Sequence, residues 1–299
     1  MECTTLTAAT SPPRLQDLLG QAGQTLARAG IDNAALDAEV LLGHALGLKR
    51  EQLIVMADSP LGAAQAQRFQ SLIERRLRRE PVSYIIGKQE FWSLDFQVTS
   101  DVLIPRPETE CVVEAALQFA ASWPRGDSMR VLDVGTGSGA IAVALAKELP
   151  SARIHGADVS PSALVLARRN AMLNGVGEQI DFCCGDLFAA LGQSSPLFDL
   201  IVSNPPYIRR AEIAGLAPEV SQWEPRAALD GGTDGLEFYR RIAAAASPWL
   251  APEGALVLEI GADMGRQVCA LFKQAGCYRD LTVLQDYAGR DRVVTASFA

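Results

Sequence analysis

The first part of the chain carries apolar residues at helical spacing. Between residues 13 and 80 they recur three and four positions apart, which places them on one face of successive amphipathic helices. We therefore expect a small bundle of helices. The apolar stripes are Leu15, Leu18, Leu19, Ala22 and Leu26, then Leu36, Val40 and Leu41, then Phe69, Leu72, Ile73 and Leu77.

Residues 84–104 change to alternating polarity and a β-rich composition. Residues 84–87 and 91–98 each follow a period of two, which predicts a β-hairpin. We assign residues 1–83 to an N-terminal helical domain, residues 84–105 to a hairpin linker and residues 106–299 to a second domain.

From residue 130 onward, short apolar runs alternate with helical stretches. This alternation predicts an α/β fold with a doubly wound, mostly parallel sheet. Two β-rich runs around a turn at residues 287–291 predict an antiparallel C-terminal hairpin at one sheet edge. The expected strands are residues 130–134, 153–158, 179–184, 198–203 and 255–260, followed by 281–284 and 292–296.

The composition is that of a folded, acidic protein. Of the 299 residues, 48% are hydrophobic and 21% are charged, which supports a full core and disfavours a disordered chain. The net charge of −8 argues against stable nucleic-acid binding, because phosphate backbones require a clustered positive surface. The arginines between Arg68 and Arg79 are a local exception, for which a solvated helix face is favoured over a nucleic-acid contact.

Targeting, membrane and metal signals are absent from the sequence. No run of 18 apolar residues is present, and residues 1–10 lack a positive charge ahead of an apolar segment, so we expect no signal peptide. The six cysteines lack C-x-x-C spacing and there are only two histidines, which argues against a metal site. Reduced thiols are typical of the cytoplasm, where we expect the protein to function.

The most informative motif is Asn204-Pro205-Pro206-Tyr207, which directly follows the apolar run 198–203. Two consecutive prolines cannot continue a central strand, so the chain leaves the sheet at a strand's carboxyl end. Open α/β sheets bind their ligands at that edge. An amide side chain, uncommitted carbonyl oxygens and an aromatic ring suit a planar NH2 group. The motif therefore predicts a substrate with an amino group on an amide or a base.

A glycine-rich turn follows the first strand of the predicted sheet. Gly135, Gly137 and Gly139 permit a tight turn and the close approach of a ligand to the backbone. The spacing also satisfies G-x-G-x-x-A, so a dinucleotide has to be considered. Asp158, at the end of the second strand, is placed to hold both hydroxyls of a ribose. These features predict a ligand that contains a nucleoside.

Two further aspartates bear on which nucleoside binds. Asp133 precedes the glycines and offers a negative field to the ammonium of a methionine-type ligand, whereas a dinucleotide would place its pyrophosphate at the helix N-terminus. Asp186 either faces the adenine or caps the next helix. The Asp-x-Gly-x-Gly-x-Gly pattern, followed by an acidic end of the second strand, resembles the class I S-adenosylmethionine-dependent methyltransferases and implies their Rossmann-like sheet.

Longer motifs narrow the resemblance to one family. The motif at residues 204–207 is the signature of methyltransferases acting on planar nitrogens: adenine N6, cytosine N4 and the glutamine amide. From about residue 13 to the C-terminus, the chain is similar to the release-factor glutamine N5-methyltransferases, the PrmC/HemK family. The motifs that carry this likeness are Phe91-Trp92, Ile104-Pro105-Arg106-Pro107-Glu108-Thr109-Glu110, Glu224-Pro225-Arg226-Ala227-Ala228-Leu229-Asp230-Gly231-Gly232 with Asp234-Gly235-Leu236, and Gly289-Arg290-Asp291-Arg292-Val293-Val294.

The resemblance implies methylation of the glutamine in the Gly-Gly-Gln loop of class-1 peptide-chain release factors, with the helical domain recognising the substrate. The Asn204 side-chain oxygen and the Pro205 carbonyl would accept the amide N–H groups, and Tyr207 would pack against the amide plane. Phe188 is an alternative to Leu187 for stacking on the cofactor. The implied cofactor residues are Gly135, Thr136, Gly137, Ser138, Gly139, Asp158, Leu187 and Asn204; the implied substrate residues are Asn204, Pro205, Pro206 and Tyr207, with Asn204, Pro205 and Tyr207 catalytic.

Three other functions share part of this pattern. A nucleic-acid adenine-N6 methyltransferase would use the same motif, but it must hold a phosphate backbone, which the acidic charge disfavours. A cofactor-binding module without turnover is disfavoured by the intact motif and glycine turn. A dinucleotide oxidoreductase would need a hydride-transfer site, and none is suggested.

Two segments outside these motifs are expected near the substrate. Arg106 and Glu108 either shape the substrate entrance or form a salt-bridged linker. Residues 224–236 form a long, acidic, glycine-rich loop. Because long ordered loops are usually functional, we expect this one to border the substrate channel.

Overall fold

The computed structural model describes residues 13–123, 128–192 and 195–299. The chain divides into two compact units, one ending at Ile86 and the other beginning at Gly87. The expectation for residues 1–10 lies outside the described residues. Over the described ranges, no helix is both long and apolar enough to cross a membrane.

The first unit is helical, as its apolar spacing predicts. Its buried side chains include Leu15, Leu26, Leu41, Phe69 and Ile73, which form one hydrophobic core. The short third and fifth helices are additions to the predicted set. The helices are α1 (Leu15–Arg28), α2 (Ala34–Leu46), α3 (Arg50–Val55), α4 (Ala63–Leu77) and α5 (Val82–Ile86).

The face that α2 buries differs from the expected one. Leu36 and Val40 are 48% and 36% exposed, whereas Ala38, Leu41 and Leu42 are buried. This helix is apolar on more than one side, so periodicity alone does not select its core face. The buried face of α2 contains Ala38. Packing favours this face because the small alanine side chain lets a neighbouring helix approach closely.

Several arginines between Arg68 and Arg79 form ion pairs or hydrogen bonds within the first unit. Arg76 is buried and pairs with Asp37 at 2.7 Å, which joins α4 to α2. Arg75 pairs with Glu80 at 2.5 Å, and Arg79 donates to the Gly30 carbonyl at 2.7 Å. The expected solvated helix face is therefore wrong for Arg76, whose charge stabilises helix packing.

The second unit opens with the predicted hairpin, but its first strand begins later than expected. Strands β1 (Lys88–Phe91) and β2 (Leu94–Gln97) pair antiparallel, whereas residues 84–86 belong to α5. The N–H groups of Tyr84 and Ile85 donate to the Pro81 carbonyl at 3.0 Å. The four residues Tyr84-Ile85-Ile86-Gly87 also fit a single helical turn, and the local hydrogen bonds decide between strand and helix.

A seven-stranded sheet forms the centre of the second unit. The predicted parallel strands and the antiparallel C-terminal hairpin are confirmed, with strand order β5-β4-β3-β6-β7-β9-β8. The strands β3 to β7 run parallel, and β9 is antiparallel to both β7 and β8. Their bounds are β3 (Arg130–Val134), β4 (Arg153–Asp158), β5 (Ile180–Cys184), β6 (Phe198–Ser203), β7 (Leu250–Glu259), β8 (Tyr278–Gln285) and β9 (Asp291–Phe298).

Helices cover both faces of this sheet. On β3, Val131 packs into the core on one face, while Leu132 and Val134 pack into the core on the other. A strand buried on both faces is expected for a parallel sheet between two helical layers. One layer contains α6 (Glu110–Ser122), α7 (Ala140–Glu148) and α8 (Pro161–Leu173), the other α10 (Glu237–Ala245) and α11 (Gly265–Ala275), and the short α9 (Pro218–Ser221) lies in a connection.

The direction of strand addition reverses between β3 and β6. These two strands are neighbours, with Val134 opposite Ser203, and the Ser203 hydroxyl donates to the Val134 carbonyl at 2.6 Å. The glycine turn after β3 and the motif after β6 therefore leave the sheet side by side. Such a reversal is where open α/β sheets bind ligands.

Candidate active site

A cavity of about 420 Å³ lies at the carboxyl ends of the parallel strands. Four successive strand ends contribute to its wall, as the strand order requires. The predicted site residues in the lining are Gly135, Gly137, Asp158, Leu187, Asn204, Pro205 and Pro206.

The glycine turn is built by positive backbone angles. Gly135, Gly137 and Gly139 have φ of 76°, 55° and 82°, a region that favours glycine. The N–H groups of Gly135 and Thr136 donate to the Ala157 carbonyl at 2.8 and 2.9 Å, which ties the turn to β4. A Cβ at Gly135 would meet open space, so this part of the cavity wall is bare backbone.

Asp158 has a structural task that the sequence did not reveal. Its Oδ2 accepts from the Gly137 N–H at 2.8 Å, and its Oδ1 accepts from the Ser160 N–H at 2.9 Å. Each carboxylate oxygen keeps a further acceptor site. The side chain therefore holds the turn and still offers two oxygens to a diol in the cavity.

Three predicted cofactor residues lie behind the cavity wall. Thr136 and Ser138 are buried, and Gly139 packs at the start of α7, where a Cβ would come within 3.2 Å of the Ala167 Cβ. None of the three lines the cavity. They support the turn, and any ligand contact from them would be through the backbone.

Asp133 is also beneath the turn and does not face the cavity. It is completely buried, its Oδ2 accepts from the Thr136 hydroxyl at 2.7 Å, and its Oδ1 has no hydrogen-bond partner among the described residues. Burial raises its pKa to about 7. The predicted direct negative field on an ammonium is therefore weakened, since near neutral pH this carboxyl is partly protonated.

The residues after β5 differ in whether they reach the cavity. Leu187 lines it, whereas Phe188 is buried in the core; a contact of Leu187 with the cofactor stays a prediction. Asp186 makes no capping hydrogen bond and instead pairs with Arg241 at 2.6 Å. Arg241 lies over the ring of Phe238, 5.4 Å from its centroid, and all three side chains border the cavity.

Asn204 and Pro205 of the motif after β6 line the cavity. The Asn204 Nδ2 group donates to the Thr109 hydroxyl at 3.1 Å. Within the described chain, neither Asn204 Oδ1 nor the Pro205 carbonyl takes part in a hydrogen bond. These two oxygens are therefore available to accept hydrogen bonds from a planar amino group, the role that the sequence predicts for them.

Tyr207 is anchored from behind the motif. Its hydroxyl donates to Glu259 Oε1 at 3.2 Å, and burial raises the pKa of this phenol. Tyr207 does not line the cavity. Neither Thr109 nor Glu259 was singled out as a site residue, because each lies far from the motif in sequence.

The loop 224–236 runs beside the chain that leaves the motif. The Ile208 N–H donates to the Leu229 carbonyl at 3.0 Å, and the Gly231 N–H donates to the Ile208 carbonyl at 2.9 Å. The loop also supplies Pro225, Ala227 and Ala228 to the cavity wall. The loop therefore borders the cavity, and its place beside a substrate channel stays a prediction.

An ion pair ties this loop to the segment at residues 104–110. Arg106 pairs with Glu224 at 2.5 Å, and the Glu224 side chain is only 1% exposed. Arg106 thus forms a salt bridge, with Glu224 rather than with a linker residue, and a place of Arg106 and Glu108 at the substrate entrance stays a prediction. Across the described ranges, no cluster of His, Cys, Asp and Glu side chains has the makings of a metal site.

The second unit has the fold of the class I methyltransferases. Among solved structures, the catalytic domain of human METTL16 in complex with an MAT2A 3′UTR hairpin has a TM-score of 0.54 at 16% identity, covering 79% of this chain and 81% of that chain. The N-terminal domain of human METTL16 in complex with SAH has a TM-score of 0.52 at 16% identity, with 81% and 86% covered. At this identity the likeness concerns the fold.

Sequence comparison identifies the family. Residues 17–87 match the PrmC N-terminal domain model, and residues 115–219 match the methyltransferase small domain model. A release factor glutamine methyltransferase of Geobacter sulfurreducens is 49% identical over 90% of this chain and 91% of its own length. Another from Moorella thermoacetica is 46% identical over 94% and 98%. The chain belongs to the release factor glutamine methyltransferase family.

Proposed function

We propose that the protein transfers a methyl group from S-adenosylmethionine to N5 of the glutamine in the Gly-Gly-Gln motif of class-1 peptide-chain release factors, and so modulates translation termination. The observation that carries this proposal is the pair of uncommitted acceptors, Asn204 Oδ1 and the Pro205 carbonyl, on the wall of the cavity. The names of relatives at 46–49% identity agree with it.

The residues of the cavity fit S-adenosylmethionine. Gly135 and Gly137 leave room for a ligand against bare backbone, Asp158 offers two carboxylate oxygens to a ribose diol, and Leu187 presents an apolar surface to a base. Asn204 borders the same space. When bound, the cofactor supplies an electrophilic methyl group on a sulfonium.

The substrate amide is oriented by the motif. Its nitrogen is a poor nucleophile because the lone pair is delocalised into the carbonyl, so alignment carries much of the catalysis. Asn204 Oδ1 and the Pro205 carbonyl accept one N–H each, which fixes the plane and direction of the NH2 group. Such orientation supplies about 7–11 kcal/mol in well-aligned reactions. No strong general base is needed, because the nitrogen proton becomes acidic once the methyl group is attached.

The same acceptors explain why glutamine is chosen over glutamate. A carboxylate brings no donors and places a negative charge against two oxygens. Sites that hydrogen-bond a substrate N–H reject analogues lacking it by roughly 10⁴–10⁵. We assign recognition of the release factor beyond its glutamine to the N-terminal helical domain, residues 1–83. A nucleic-acid substrate is the weaker alternative, since the net charge is −8 and part of the basic stretch is internally paired.

Methyl transfer to purified substrates tests this function. With a labelled methyl donor, we expect incorporation into a class-1 release factor and none into the same factor carrying glutamate in place of the motif glutamine. Mass spectrometry of the Gly-Gly-Gln peptide then places the added methyl group. Methylation of adenine in DNA or RNA, without methylation of the release factor, would overturn the proposal.

A further inference from the structure

One buried amide side chain lies between the glycine turn and the β1–β2 hairpin. Asn170, on α8, is completely buried, and its side chain makes three hydrogen bonds. Its Nδ2 group donates to the Ser138 carbonyl at 2.8 Å and to the Gln97 carbonyl at 3.0 Å. Its Oδ1 accepts from the Gln97 N–H at 2.8 Å. Both amide protons are therefore used, each on a different part of the chain.

On the hairpin side, Asn170 takes the place of a neighbouring strand. Within the described chain, β2 pairs with β1 alone, with Gln97 opposite Lys88. The other edge of β2 presents backbone N–H and carbonyl groups that need partners. An asparagine side chain has a donor and an acceptor, as a peptide group does, so Asn170 satisfies both groups of Gln97. The position of the hairpin is thereby set by α8.

On the other side, Asn170 supports the glycine turn. The Gly137 N–H is held by Asp158, at the end of β4, and the carbonyl of the next residue, Ser138, is held by Asn170. Ser138 lies between two glycines with φ of 55° and 82°. Because glycine permits many backbone angles, hydrogen bonds have to fix the direction of the peptide groups here. Asn170 supplies one of these hydrogen bonds.

The hairpin leads into another part of the cavity wall. Residues 101–103, which follow Gln97 by only a few positions, line the same cavity as Gly135 and Gly137. A shift of β2 would therefore move this segment relative to the glycine turn. Asn170 bonds to both the turn and the end of β2, so it fixes the distance between two walls of the cavity.

We propose that Asn170 is a positioning residue for the methyl donor, which holds the glycine turn and the segment 101–103 as two walls of one cofactor site. Its side chain is enclosed and does not line the cavity, so it acts through the Ser138 carbonyl and the backbone of Gln97. This inference rests on the cofactor named in the proposed function, because it concerns binding of S-adenosylmethionine in this cavity.

Asn170→Ala and Asn174→Ala form a matched pair of variants. Asn174 lies one turn beyond Asn170, at the end of α8. Its Nδ2 group donates to the Asp95 carbonyl of β2 at 3.0 Å and to the Asn170 carbonyl at 2.9 Å. It thus holds the hairpin but, as far as the described residues show, not the glycine turn. Both variants lose a contact with the hairpin, and both should lower Tm.

Cofactor affinity separates the two variants. By titration calorimetry, Asn170→Ala should raise the Kd of S-adenosylhomocysteine about 10-fold, because a buried carbonyl of the turn loses its hydrogen-bond partner. Asn174→Ala should keep the wild-type Kd. In steady-state kinetics, Asn170→Ala should raise KM for S-adenosylmethionine and leave kcat at saturating donor near wild type, since the motif at residues 204–207 keeps its contacts. Equal Kd values in the two variants, or a lower kcat with unchanged Kd and KM, would overturn the proposal.

Hydrogen exchange on the wild-type enzyme tests the same coupling without a substitution, and it decides the matter should Asn170→Ala fail to fold. Binding of S-adenosylhomocysteine should slow exchange of the Gln97 N–H, which donates to Asn170 outside the cavity lining, because coupling between two sites is reciprocal. Unchanged exchange at Gln97 would overturn the proposal. Binding of S-adenosylhomocysteine without methylation of any release factor would instead remove the proposed function and leave this inference intact.

Discussion

Gly231 lies directly against Tyr207. A Cβ at Gly231 would come within 2.7 Å of the Tyr207 Cα and 2.9 Å of the Pro206 carbonyl oxygen. The backbone angle at Gly231 does not require glycine, since its φ is not positive. Glycine is required because the backbone of Pro206 and Tyr207 lies so close. The loop 224–236 is thus pressed onto the motif, which explains the glycine at this position.

Gly231→Ala should therefore impair catalysis more than folding. The added methyl group displaces the backbone of the motif, and a shift of about 1 Å in a catalytic group can cost roughly 100-fold in rate. Gly215→Ala is a matched control, because a Cβ there meets no atom within 4 Å. Steady-state kinetics with a release factor, together with Tm values, would check this; equal kcat for both variants would contradict it.

Asn204→Ala should abolish methyl transfer and leave most of the cofactor affinity. The substitution removes one of the two acceptors for the substrate NH2 group, while the glycine turn and Asp158 are untouched. Calorimetry with S-adenosylhomocysteine and a labelled-methyl assay measure the two properties separately. Lost cofactor affinity with retained turnover would show that Asn204 belongs to the cofactor side alone.

Asp158→Asn should weaken cofactor binding by about 10- to 100-fold, because hydrogen bonds to a charged group contribute about 1.5–3 kcal/mol. The amide nitrogen also cannot accept from the Gly137 N–H, so the turn loosens. Asp186→Asn is the comparison: its carboxylate lies in an exposed ion pair with Arg241, a type worth about 0–1 kcal/mol. Equal losses of affinity in the two variants would refute the role assigned to Asp158.

Asp133 should make the stability of the protein depend on pH. Its pKa is raised from 3.8 to about 7 in the folded state, so the fold favours the protonated form. The favourable contribution is complete below pH 4 and is lost as the pH rises through about 7. Asp133→Asn, which stays neutral, should therefore gain stability relative to wild type between pH 5 and 8, by at most about 4 kcal/mol.

Urea unfolding of both proteins across this range measures the difference directly. Burial also raises the pKa of Glu259 to about 7, but Glu259 is present in both proteins, so its contribution cancels. Parallel stability curves for wild type and Asp133→Asn would show that the Asp133 carboxyl is not destabilised by its burial.

The strands and the position of the motif could be predicted because local signals suffice for them. Runs such as residues 198–203 are mostly apolar, and two prolines must end the strand. The face of α2 could not be predicted, since it is selected by packing against other helices. The helical turn at residues 84–86 was missed because four residues do not distinguish a period of two from one of 3.6.

Thr109 and Glu259 illustrate the part of the site that local patterns do not reveal. Their partners in the motif are 95 and 52 positions away. The pairing of β6 with β7 brings Glu259 to the motif, whereas Thr109 comes from the segment just before α6. One signal was nevertheless present in the sequence. Glu259 interrupts the apolar run 255–260, and a carboxylate within a buried strand is rarely found without a partner or a task.

The side-by-side exit of the two loops from β3 and β6 has a consequence for how such enzymes diversify. Under the proposed function, the donor half of the cavity depends on residues 133–158 and the acceptor half on residues 204–236, with the Ser203–Val134 contact between them. Changes in the acceptor half can thus alter which nitrogen is presented while the donor half stays intact. The same sheet can therefore carry one set of loops for the methyl donor together with different loops for the methyl acceptor.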